Sequence, residues 1–135
     1  MRRHPELQDI SREHHAALKM ARDARHAAES GQMEEIQRQA ERIVAAFVAQ
    51  LDPHFRAEEQ GMLPLLSRGG QHELVRRTLA EHGEIRTLAA ELGRPDARTL
   101  RRFADLMEAH VRFEERELFE TVQALMNPAG SNSTK

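Results

Sequence analysis

Cysteine, tryptophan and tyrosine are absent from the 135 residues, and aromatic residues make up only 4% of them. Without thiols the chain can form no disulfide, zinc finger, iron–sulfur cluster or cysteine nucleophile, which leaves histidine and carboxylate as its strong metal ligands. The apolar residues are mainly Leu, Ala, Ile, Val, Met and Phe, a balance that favours helix over sheet. No apolar run approaches the length of a membrane span, and the opening Met1-Arg2-Arg3-His4-Pro5-Glu6 lacks the apolar centre of a signal peptide. A formal charge of -2 gives no positive field for nucleic acid. The expectation is a cytoplasmic protein with neither a membrane nor a nucleic-acid partner.

What is present is histidine, eight times. Two stretches share one pattern, His-x-Arg-x-Glu-Glu: His54-Phe55-Arg56-Ala57-Glu58-Glu59 and His110-Val111-Arg112-Phe113-Glu114-Glu115. Residues i and i+4 lie one turn apart on the same helix face, so each stretch presents an imidazole beside a carboxylate. One such pair is common on solvated helices. Two copies among apolar residues suggest paired metal ligands, with Glu59 and whichever of Glu114 and Glu115 is not a ligand read first as solvated neighbours and second as partners of an imidazole. Two further histidines lie in Glu13-His14-His15 and Glu81-His82. An apolar residue follows three places after His15 (Leu18) and after His82 (Ile85), which puts those two on the inward face and turns His14 about 100° away, with His14 left as the alternative to His15. His4, His26 and His72 read as surface residues.

Apolar spacing predicts four helices. The first covers residues 6–30, with Leu7, Ile10, Leu18, Ala21 and Ala28 inward, and stops at Gly31. The second runs over 32–66 on a stripe of Ile36, Ile43, Val44, Phe47, Val48, Leu51, Phe55, Met62 and Leu65. Pro53 inside it removes a backbone donor and clashes with the preceding turn, which predicts a kink or bulge just before His54. Gly61 and Pro64 make its end irregular. After Ser67-Arg68-Gly69-Gly70 a third helix uses Leu74, Val75, Leu79, Ile85, Leu88 and Leu92, and after Arg94-Pro95-Asp96 a fourth uses Leu100, Phe103, Leu106, Met107, Val111, Phe113, Leu118, Val122 and Leu125. The expected fold is all-α, an antiparallel up-down-up-down four-helix bundle over residues 1–128, followed by a disordered tail at 129–135.

In such a bundle two residues stand level when the midpoint of their numbers falls in the connecting loop. The midpoint of 54 and 82 is 68, and that of 82 and 110 is 96; both fall in predicted turns. For 15 and 54 it is 34.5, beyond Gly31, which leaves about 5 to 10 Å for helix tilt, a longer loop or the bulge at Pro53 to absorb. The six groups His15, His54, Glu58, His82, His110 and Glu114 then meet in the interior. Buried without a partner, each would cost several kcal/mol. A cation removes that cost. Six ligands suit two ions better than one, and these N/O donors accept iron, manganese or zinc. The Glu-x-x-His pairs of ferritin-type di-iron sites are absent, as is His-Glu-x-x-His.

The order His15, His54 with Glu58, His82, and His110 with Glu114, together with Arg12-Glu13-His14-His15, His54-Phe55-Arg56-Ala57-Glu58-Glu59, Leu63-Pro64 and Leu118-Phe119, resembles the hemerythrin-like HHE cation-binding family from about residue 6 to 126. The resemblance implies two iron ions with bridging carboxylates and an oxo or hydroxo bridge. It implies as partners dioxygen, peroxide or nitric oxide, in oxygen or redox sensing, iron handling or peroxide removal. Oxygen-carrying members have a further histidine where this chain has Thr78. Their last carboxylate lies five residues after its histidine, a spacing that selects Glu115 here. Phe47, Leu51, Phe103, Met107, Phe113 and Leu118 are the expected wall of the site. A metal store or sensing module acting through an unidentified protein, and a metal-free helical scaffold, are the rival readings.

Overall fold

The computed structural model describes residues 5–126, with side chains from Arg12 onward. The expected tail at 129–135, His4, and the side chains of Leu7 and Ile10 lie outside the described residues. Among the described residues the structure is helical throughout, in four rods without a strand. The first rod is Pro5–Ser30 and ends where Gly31 takes a positive φ of 68°, a conformation that suits a residue without Cβ. The third rod is His72–Glu91. It follows Gly70, whose φ is 80°.

The second and fourth rods are each interrupted by a wider turn. The second consists of Met33–Ala46, the π-helical turn Phe47–Leu51 and Asp52–Gln60, and after a break at Gly61 it resumes as Met62–Arg68. At the π turn the amide of Asp52 donates to the carbonyl of Phe47, five residues back instead of four. This is the bulge expected before His54. Pro53 has no N–H to continue the α-helical ladder, and one extra residue in the preceding turn takes up the mismatch. The fourth rod consists of Ala97–Phe113, a second π turn at Glu114–Leu118, and Phe119–Met126, with the Phe119 amide donating to the Glu114 carbonyl. No proline announces this one. The fourth rod begins at Asp96, whose carboxylate accepts from the Thr99 amide at 2.9 Å.

Arg25 of the first rod pairs with Asp105 and Glu108 of the fourth, while His14 meets Glu114 and Glu115. Two expected core positions instead face solvent: Val48 is 71% exposed and Leu79 46%. On the second rod the inward stripe steps from Ile43 through Phe47 to Leu51, which leaves Val48 one residue off it. On the third rod Thr78, His82, Ile85 and Ala89 carry the buried stripe, and Leu79 stands about 100° from it. The buried apolar residues form two separate clusters. The larger gathers Ile43, Ile85, Leu100, Phe103 and Met107 around an alanine stripe, Ala17, Ala21, Ala24 and Ala28, on the first rod. The smaller gathers Met62, Leu63, Leu66, Phe113, Leu118, Phe119 and Val122.

Candidate metal centre

Between the two clusters lies a layer of buried polar side chains: His14, His54, Glu58, His82, His110 and Glu114. The sequence reading chose His15 from the first rod, and here the structure corrects it. His15 is exposed, whereas His14 is buried and joins the layer. The inward face of this rod is set by Ala17, Ala21, Ala24 and Ala28, and His14 stands three residues before Ala17; Leu18, on which the choice of His15 depended, is only half-buried. The other five expected residues do come together.

Their atoms divide into two sets that share both carboxylates. His14 Nε2 is 2.8 Å from Glu114 Oε1 and 3.7 Å from Glu58 Oε2, and His54 Nε2 is 2.9 Å from that same Glu58 oxygen. On the other side His82 Nε2 is 2.9 Å from Glu58 Oε1 and 3.6 Å from Glu114 Oε2, and His110 Nε2 is 2.9 Å from Glu114 Oε2. Each carboxylate thus turns one oxygen toward His14 and His54 and the other toward His82 and His110. The four Nε2 atoms and the four carboxylate oxygens are all buried without a hydrogen-bond partner, because they converge on common points and not along one another's bonding directions. Within each set of two imidazoles and two carboxylates the donor atoms lie within 4.8 Å of one another. Eight buried donors left unsatisfied would destabilise the fold; cations bound among them satisfy all eight.

The family model of the hemerythrin HHE cation-binding domain matches residues 6–122. The chain belongs to this family. No curated protein and no solved structure matches it.

In this hemerythrin domain the outer nitrogen of every buried imidazole also has a partner. His14 Nδ1 is 2.9 Å from Glu115, His82 Nδ1 2.7 Å from Glu59 and His110 Nδ1 2.6 Å from Glu81, and His54 Nδ1 bonds Glu13. Glu59 and Glu115 are therefore imidazole partners, the second of the two readings their sequence position allows. The signal for all four is that each stretch carries an additional glutamate beside a residue of the layer: Glu13-His14, Glu58-Glu59, Glu81-His82 and Glu114-Glu115. Thr78 is buried, but its hydroxyl donates to the Leu74 carbonyl at 2.7 Å and belongs to neither donor set.

Electrostatics in the layer favour charge separation over neutral groups. Burial works against a charge on His14, yet the carboxylates of Glu114, Glu115 and Glu58 outweigh it and raise the imidazole from 6.5 to about 11. The same opposition, burial against the nearby glutamates, takes His110 to about 10 and His82 to about 9, and raises His54. Burial pushes Glu114 upward, but His110, His14 and His82 hold it well below its ordinary value. A metal ion bound here would have to displace these protons from Nε2.

Two aromatic rings cover the imidazoles. Phe55 stacks on His82 with centroids 4.0 Å apart, and Phe119 stacks on His14 at 5.2 Å. Neither was among the six residues expected to wall the site. Of those six, Leu51 and Met107 line a cavity of about 420 Å³ that also touches Glu13, His14, Met20 and His54. Ala49 and Gln50 of the first π turn form part of its rim. The cavity thus reaches the polar layer on the side of His14 and His54, between the first and second rods, with Met107, His110 and Val111 of the fourth behind it.

Proposed function

We propose that this hemerythrin domain holds two iron ions, one by His14, His54, Glu58 and Glu114 and the other by His82, His110, Glu58 and Glu114, and binds dioxygen, peroxide or nitric oxide there. The observation that carries the reading is the convergence of eight buried donor atoms, none of them hydrogen-bonded, in two sets joined by two shared carboxylates. Four protein donors per ion leave coordination positions for an oxo or hydroxo bridge and for an exogenous molecule. Bound iron would supply Lewis acidity and redox equivalents. Glu58 and Glu114 would be shared by the two ions, the imidazoles would complete each set, and Phe55 and Phe119, stacked on His82 and His14, shield those rings from water. The cavity beside His14 and His54 is wide enough for a small oxidant to enter. The proposal includes an antiparallel up-down-up-down arrangement of the four rods and a cytoplasmic setting. In the described residues no helix is long and apolar enough to cross a membrane.

The deciding experiment is metal quantification with a visible spectrum on protein purified without a histidine tag. Two iron ions per chain are expected, with absorption bands that move on adding oxygen, azide or nitric oxide. His54→Ala and His110→Ala should each lower the metal content. Less than one ion per chain, unchanged by either substitution, would remove the site. Full loading with bands indifferent to all three additions would leave metal storage as the function.

A further inference from the structure

The outer carboxylates follow one rule. Glu13 of the first rod bonds His54 of the second, Glu59 of the second bonds His82 of the third, Glu81 of the third bonds His110 of the fourth, and Glu115 of the fourth bonds His14 of the first. Each glutamate adjoins an inner residue of its own rod and reaches the imidazole of the next, and the fourth returns to the first. Glu59 and Glu81 are gripped from outside. Arg86 holds Glu59 at 2.8 Å and Asp52 at 2.7 Å, and Arg77 holds Glu81 at 3.0 Å. Arg77 also lies over the Phe113 ring, 3.9 Å from its centre, which fixes the guanidinium.

We propose that Glu13, Glu59, Glu81 and Glu115 form a closed ring of positioning residues that orients the four imidazoles for metal and sets the charge, and hence the reduction potential, of the centre. This rests on the reading of the six inner residues as ligands. An imidazole whose Nδ1–H is donated to a fixed carboxylate has one tautomer and one ring angle, with the Nε2 lone pair toward the interior. The carboxylate also makes the ring a stronger donor. Four such charges around two already anionic bridges favour the more highly charged, oxidised ions, so the ring biases the centre toward the ferric state. Because each tie links consecutive rods, the same four bonds fix the relative depth of all four, which the loops alone do not.

The test compares the parent with Glu59→Gln, Glu81→Gln, Glu59→Ala and Glu81→Ala. Glutamine keeps the acceptor and removes the charge; alanine removes both. Three quantities are measured: Co²⁺ affinity by titration of its visible bands, the Nδ1 proton signals of the Zn²⁺-loaded protein by NMR, and the midpoint potential of the iron-loaded protein. The glutamine variants should keep the parent stoichiometry, bind Co²⁺ about 10-fold more weakly, the low end for loss of such a partner, and shift the potential in the positive direction. The alanine variants should also lose the slowly exchanging Nδ1 proton of His82 or His110, and weaken binding by up to about 100-fold. Parent-like affinity and potential in both glutamine variants would overturn the ring while leaving the inner ligands standing. A parent protein that takes up no Co²⁺ would instead bring down both readings. Should an alanine variant fail to fold, the isosteric glutamine variants decide the matter.

Discussion

His14 and His15 are one residue and about 100° apart, and that angle separates a buried donor from a solvated side chain. His14→Ala should therefore remove one imidazole from the set it shares with His54, lowering the metal content and weakening what remains by tenfold or more. His15→Ala should load like the parent. Metal per chain after desalting distinguishes the two, and equal loading of both variants would contradict the assignment. Of the six inner residues, the repeated His-x-x-x-Glu pattern made His54, Glu58, His110 and Glu114 legible, and Ile85, three places on, marked the face of His82. On the first rod the marker is a stripe of alanines, whose small side chains give little hydrophobic contrast, so the larger but half-buried Leu18 misdirects the reading. The outer glutamates left only the mark of a further carboxylate beside each inner residue. Their partners lie on the next rod, and no spacing within one helix says which imidazole each one meets.

At the scale of elements, the two π turns place the inner residues of the second and fourth rods. Phe47–Leu51 directly precedes the segment that carries His54 and Glu58, and Glu114–Leu118 opens on Glu114, one of the two carboxylates that both sets share. Removing one residue from the first, by deleting Val48, restores four-residue hydrogen bonding but rotates Met33–Ala46 by about 100° against Asp52–Gln60. Ile43 and His54 can then no longer both face inward. The expected result is a lower melting temperature together with loss of metal; a deletion variant that loads fully would show the wider turn to be dispensable. The first π turn was announced by Pro53, whereas the second has no proline and left no local mark in the sequence. A gentler test concerns the start of the fourth rod. Asp96→Ala removes the bond to the Thr99 amide and should cost about 1 kcal/mol in chemical denaturation at neutral pH. The bonds from Thr99 hold the Asp96 carboxyl below its ordinary value of 3.8. The folded pKa is the lower one, so the charged part of the cap's contribution is complete above 3.8 and is lost as pH falls through the folded value. The parent and the alanine variant should accordingly converge in stability in acid and differ at neutral pH.

Across the whole molecule, the polar layer divides the core. Ile43, Ile85, Leu100, Phe103 and the alanine stripe lie to one side of it, and Met62, Leu66, Phe113, Leu118 and Val122 to the other. Among the described residues the smaller cluster draws on Met62–Arg68, Phe119–Met126 and flanking parts of the third and fourth rods, and contains none from the first rod short of His14. Without metal, the layer between the clusters holds imidazole–carboxylate pairs that are buried and make no aligned hydrogen bond, so opening the smaller cluster to water restores the solvation of these groups and does not only lose apolar contact. Bound ions reverse that balance, because ligands from all four rods must then separate before either cluster opens, and the stabilisation grows with free metal as RT ln(1 + [M]/Kd). Amide hydrogen exchange with and without metal should therefore show a regional effect. In chelated protein, residues 62–68 and 113–126 should exchange through a local opening while the amides around Ile43, Ile85 and Phe103 stay protected. On adding metal the two regions should approach a common, slower rate. Equal protection of both clusters in the chelated protein, or a gain on loading confined to the inner ligands, would show that the layer does not couple the two halves of the bundle.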